Sequence, residues 1–164
     1  MRYVLDASVA LRWYVAGEEH PNAEAVLERL LEAPELFAVP ELFFYEVQAV
    51  LARLHPGYPS VYSDGFLPAT QAGPLRYPMT EGIATHAASF VAKGLTGYDA
   101  TYAAVARELG AQWLTFDERA HELLRGEGVS VNLAEELPDL SPVELTRGAA
   151  GTRDGSSPPP GSFP

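Results

Sequence analysis

Tyr3-Val4-Leu5 is a short apolar run that meets an acid at Asp6, the pattern of a buried strand. Over 19–33, Ala23, Val26, Leu27, Leu30 and Leu31 recur at helical spacing and predict an amphipathic helix. Leu36-Phe37-Ala38-Val39 predicts a second strand, closed by Pro40 at a first helical position. A helix over 41–54 follows, with Phe43, Val47, Val50, Leu51 and Leu54 on one stripe. Residues 55–74 show no period and hold Pro56, Pro59, Pro68 and Pro74, which predicts a long loop. Leu75-Arg76-Tyr77-Pro78 reads as a short strand. Helices over 80–93 and 97–109 come next, the second opened by Thr96 and stopped at Gly110. The pattern ends with a strand over 111–116, a short helix over 117–126 and a last strand over 129–133.

Strands alternating with helices imply βαβ crossovers and a parallel sheet covered on both faces. In such sheets functional groups gather at the carboxyl ends of the strands. That directs attention to Asp6 and Asp117, each lying just past a strand. From Pro138 the chain changes character, and Ser156-Ser157-Pro158-Pro159-Pro160-Gly161 has little apolar surface to bury. The expected organisation is one domain over 1–137 and a disordered tail over 138–164.

Composition narrows the function. The 164 residues suit a single domain, and 47% hydrophobic content suits a globular one. No apolar run approaches the roughly 20 residues of a membrane span. The start Met1-Arg2-Tyr3-Val4-Leu5-Asp6 lacks the apolar core of a signal peptide, so the expected setting is cytoplasmic. Without cysteine there are no disulfides, thiolate metal sites or Cys nucleophile. The net charge of −11 counts against a DNA-binding regulator, because non-specific phosphate binding depends on Lys and Arg. It counts less against an enzyme whose pocket is made for a cation.

Four acids have neighbourhoods that need an account. Asp6 follows a buried strand, where a carboxylate wants a cation or several N–H donors; equally, Asp6 or Ser8 can cap a following helix. Glu46 falls between Leu42, Phe43 and Val50 on the shoulder of its helix, either turned inward or snorkelling toward Arg53. Asp99 stands three residues after Thr96, the spacing of a capping box. Yet it shares a face with Leu95, Tyr102, Ala103 and Ala106, the small-residue side expected to press on the sheet. Asp117 closes Trp113-Leu114-Thr115-Phe116-Asp117 and can equally cap the helix starting at Glu118.

As a set, two acids at strand ends and two on inward helix faces can converge on one cleft. Four clustered carboxylates without a cation would raise one another's pKa values and cost several kcal/mol. A hard divalent ion, Mg²⁺ or Mn²⁺, removes that cost. His20, His55, His86 and His121 are scattered without paired spacing, so a zinc site is a poor reading.

Val4-Leu5-Asp6-Ala7-Ser8-Val9-Ala10-Leu11, Val39-Pro40-Glu41-Leu42…Glu46-Val47, Leu95-Thr96…Tyr98-Asp99-Ala100…Tyr102 and Leu114-Thr115…Asp117 resemble the four segments that mark PIN domains. They are closest to those of VapC-type toxins, and the match runs in order over about residues 1–137. The resemblance implies a PIN-like three-layer α/β/α fold with a parallel sheet of four to five strands. It also implies an endoribonuclease dependent on Mg²⁺ or Mn²⁺, the toxin of a type II toxin–antitoxin pair. It carries the family's acids onto Asp6, Glu46, Asp99 and Asp117, and hydroxyls near the metal onto Ser8 and Thr115. The partners implied are an RNA substrate, a protein antitoxin and a second copy in a homodimer, with no membrane. Two departures stand out. The family's helical hairpin between the second and third strands, which helps dimerisation, coincides with the proline-rich 55–74. Glu118 then Arg119 follow Asp117, where a basic residue often comes directly.

On this reading Asp6 and Asp99, with Asp117 direct or through water, hold a metal against a scissile phosphate. Glu46 positions or deprotonates its water. Arg12, Arg119 and Tyr98 are candidates for phosphate or base contacts. A haloacid-dehalogenase-type phosphatase would need an acid at position 8, which is Ser. A phosphoacceptor receiver would need a second acid beside Asp6 and a late Lys, and the chain's lysine is Lys93. The alternatives left are a PIN-like binding or scaffold module without catalysis, and a PIN nuclease acting in RNA processing.

Overall fold

In the computed structural model, residues 2–71 and 73–141 are described. The strands β1 (Tyr3–Leu5), β2 (Phe37–Pro40), β3 (Leu75–Tyr77), β4 (Gln112–Thr115) and β5 (Ser130–Asn132) form one sheet in the order β3-β2-β1-β4-β5. Every pairing is parallel. Tyr3, Val4 and Leu5 are apolar on both faces of the sheet and buried, which suits β1 to the central position. The chain builds outward from β1 to β2 and β3, then crosses back to β4 and β5. The order therefore reverses beside β1, and a crevice opens outside the carboxyl ends of β1 and β4.

Helices α1 (Ala7–Leu11), α2 (Pro21–Glu32), α3 (Leu42–Leu54), α4 (Leu67–Gln71), α5 (Glu81–Val91), α6 (Gly97–Leu109) and α7 (Glu118–Leu124) flank the sheet in an α/β/α arrangement. α6 lies on β1, β2 and β4 with α5 packed against it, while α1 packs on α3 and β4. The buried residues Ala100, Ala103, Ala104 and Ala106 let α6 approach the sheet closely. Thr96 caps α6 as its sequence predicts, and Gly110 ends it with φ 59°, a conformation that favours glycine. Among the described residues no helix is long and apolar enough to cross a membrane.

The structure corrects two expectations. The stretch 55–74 is not a long loop: Val61–Phe66 forms a wide π-type helical turn that runs into α4. Phe66 is fully buried, with its ring 5.2 Å from Tyr62, 5.6 Å from Phe43 and 6.3 Å from Tyr14. The wider turn spreads apolar residues off the 3.6-residue spacing, which is why no period is visible. Pro40 closes β2 opposite Tyr77 instead of opening α3, which begins at Leu42.

The tail expected over 138–164 is described only to Ser141, and the rest lies outside the described residues. Leu140 is buried, the Tyr3 hydroxyl donates to the Asp139 carbonyl at 2.6 Å, and the Arg2 guanidinium donates to the Ser141 carbonyl at 2.7 Å. Burying a leucine contributes about 1.5–3 kcal/mol. A chain ending at Leu137 is therefore expected to melt several degrees below one ending at Ser141. Equal melting temperatures for the two would show that the 138–141 contacts add nothing.

Candidate active site

Where β1 ends, the backbone turns directly into α1, and Asp6 sits at the turn. Its Oδ1 accepts from Ser8 N at 2.7 Å, so it caps α1, while its Oδ2 accepts from Trp113 Nε1–H at 2.9 Å. Both roles open to it from the sequence are filled at once: a helix cap, and a buried carboxylate held by donors. Burial pushes the Asp6 carboxyl up to about 6; the Ser8 and Trp113 hydrogen bonds oppose the shift, and the charge of Asp99 adds to it.

Glu46 lies on α3 and is partly buried. It turns inward: the Tyr102 hydroxyl donates to its Oε2 at 2.5 Å. Burial pushes Glu46 up to about 7 against the Tyr102 hydrogen bond, and the charges of Asp6 and Asp99 reinforce the rise. Asp99, in the first turn of α6, accepts from the Thr96 hydroxyl at 2.6 Å while its own N–H donates back to Thr96 Oγ1 at 3.2 Å. Asp117 is exposed and caps α7, with Ala120 N donating to its Oδ1 at 2.8 Å.

Asp6, Glu46 and Asp99 thus share one electrostatic neighbourhood. Asp117 meets Asp99 across a small cavity of about 50 Å³ that Thr96, Arg119 and Leu123 also line. Among the described residues no three acids close on one point as a ready cation cage. The cause is local, since each carboxylate is already held by a neighbouring O–H or N–H. The donors available are nevertheless all oxygens, and none of the four acids is in an ion pair among the described residues. In kind, this set fits a hard divalent cation.

Of the two expected hydroxyls, that of Ser8 ties the ends of β1 and β4 together and that of Thr115 braces the turn after its own strand. Ser8 Oγ accepts from Phe116 N at 3.1 Å, and Thr115 Oγ1 accepts from Asp117 N at 3.0 Å. Arg12 lies 3.9 Å over the Phe116 ring, and Tyr98 stands 65% exposed between two apolar cavities of about 360 and 420 Å³, the second lined also by Glu46. Sequence reasoning missed Trp113 and Tyr102 as partners of the acids. Tyr102 stands three residues after Asp99 on one helix face, a usable signal; for Trp113 only its need for an N–H acceptor pointed inward.

Fold and site together define a doubly wound α/β protein with an acid-lined crevice at its switch point. Residues 3–125 match the PIN domain, and the chain belongs to that family, which implies nuclease activity. No curated protein matches it significantly. Among solved structures it is similar to FitAcB from Neisseria gonorrhoeae, at 16% identity over 82% of this chain and 99% of that one, TM-score 0.63. A toxin–antitoxin complex from Klebsiella pneumoniae aligns at 14% identity over 80% and 97%, TM-score 0.58. The sarcin-ricin loop cleaving toxin VapC20 of Mycobacterium tuberculosis aligns at 18% over 79% and 97%, TM-score 0.58.

The raised acids make stability depend on pH. The folded chain keeps protons on Asp6 and Glu46 up to about pH 6 and 7, whereas the unfolded chain loses them near 3.8 and 4.5. The folded state therefore binds more protons in that window, and the contribution of these two groups falls as pH rises from about 4 to 7, then levels. Metal-free wild type is expected to lose more melting temperature between pH 5 and pH 8 than Glu46→Gln does. Parallel pH profiles for the two proteins would show that Glu46 is not the perturbed group.

Proposed function

We propose that this chain is an endoribonuclease dependent on Mg²⁺ or Mn²⁺ and acts as the toxin of a type II toxin–antitoxin pair. The observation that carries the reading is the group of acids at the switch point, two of them raised toward neutrality and neither in an ion pair among the described residues. Family membership and the toxin proteins among its structural neighbours support it, and they support a protein antitoxin as partner.

Asp6 and Asp99 would hold the cation, with Glu46 joining directly or through its water and Asp117 completing the set from the far side of the crevice. When bound, the ion supplies Lewis acidity to a scissile phosphate and acidifies a water molecule. Glu46 Oε2 is fixed by Tyr102, which leaves Oε1 to accept a proton, and a carboxyl near 7 exchanges protons readily at neutral pH. Arg119, which lines the small cavity with Asp99 and Asp117, would meet phosphate oxygens. With a net charge of −11, the enzyme depends on such local contacts, or on a partner's basic surface, to hold RNA.

A second reading, a PIN-like binding module without turnover, is favoured by one observation: Asp6, Asp99 and Asp117 all fill capping or first-turn positions. Asparagine caps about as well as aspartate, so Asp6→Asn and Asp99→Asn separate the two. As an enzyme, the wild type cleaves a labelled RNA pool with Mn²⁺, both variants lose orders of magnitude of activity, and Mn²⁺ raises the melting temperature of wild type most. Cleavage that survives undiminished in both variants would sink the catalytic assignment.

A further inference from the structure

The two hydrogen bonds that orient Glu46 and Asp6 come from the two members of one aromatic pair. Tyr102 on α6 reaches Glu46, and Trp113 on β4 reaches Asp6. Their rings lie parallel, 4° between planes with centroids 6.0 Å apart, and both are buried. Every other aromatic pair among the described residues is tilted or edge-on. A buried Tyr and a buried Trp each need one polar partner. Here both partners are carboxylates of the crevice, one from the end of β1 and one from α3.

The choice of donor has a physical consequence. Asp6 and Glu46 repel each other when both are ionised, and flexible side chains would swing apart. An Arg or Lys in the same place would hold them, but would also neutralise them and compete with a cation. A phenol O–H and an indole N–H fix the oxygens while leaving the full negative charge available. Packed parallel and offset between α6 and β4, with both side chains buried, the rings have little freedom to yield.

Resting on the metal-dependent reading above, we propose that Tyr102 and Trp113 are positioning residues. Together they form one block that sets the separation and orientation of the Asp6 and Glu46 carboxylates, and thereby the affinity of the crevice for a divalent cation. Neither ring touches the reacting atoms. Partners that orient ligands from behind are commonly worth 10–100-fold in metal affinity.

Calorimetric titration of the metal-free protein with Mn²⁺, in the absence of RNA, tests this. Tyr102→Phe keeps the ring and the stack and is expected to weaken Mn²⁺ binding by about tenfold while melting within a few degrees of wild type. In a Glu46→Ala background the same change is expected to add nothing, because its effect passes through the lost carboxylate. Trp113→Phe should behave likewise against Asp6→Ala, and where the smaller ring fails to fold, the Tyr102 cycle alone decides. Unchanged Mn²⁺ affinity in Tyr102→Phe overturns the assignment, as does an equal loss in the Glu46→Ala background. Wild type that binds and cleaves while Tyr102→Phe matches it defeats the positioning role alone; wild type that binds no Mn²⁺ defeats the metal reading and this inference with it.

Discussion

Burying the Asp6 carboxylate at the end of the central strand removes it from water, and an uncompensated buried charge is among the most costly features a fold can carry. The neighbouring elements are arranged around that constraint. Ser8 N on α1 and Trp113 on β4 each give one hydrogen bond. The same Ser8 receives Phe116 N, so the loops after β1 and β4 are fastened where the chain reverses direction across the sheet. These bonds only partly offset burial, and the carboxyl stays raised at about 6. A site left short of positive charge in this way is more stable when a cation arrives.

Capping and function prove to be the same structural act here. A helix that starts at the carboxyl edge of a parallel sheet needs an acceptor for its free N–H groups. A carboxylate placed there for that reason also points its charge at the crevice. Asp6, Asp99 and Asp117 all occupy first-turn or capping positions, and Glu46 alone reaches the site from mid-helix.

Much of this was legible from residue order. Apolar runs marked β1 and β2, because burial on both faces leaves a continuous apolar run, and the alternation of strands with helices marked the parallel sheet. Thr96 and Gly110 bounded α6 because capping is local chemistry. The helical turn over Val61–Phe66 was hidden, since a wide turn has no 3.6-residue signature and its stability comes from distant rings such as Tyr14 and Phe43. Asp6, Asp99 and Asp117 were individually ambiguous between cap and site, and the ambiguity was real because all three serve as caps or in a capping turn. The hydrogen bond from Trp113 to Asp6 spans 107 positions and leaves no local trace.

The docking of residues 138–141 has a geometric consequence. Asp139 and Ser141 are held by Tyr3 and Arg2, at the amino end of β1. The acids lie at the carboxyl end of the same strand, so residues 138–141 sit at the end of the sheet opposite the crevice. A fluorophore or surface linkage attached at Ser141 itself would sit at the back of the molecule, and the mouth of the crevice would keep its full solid angle.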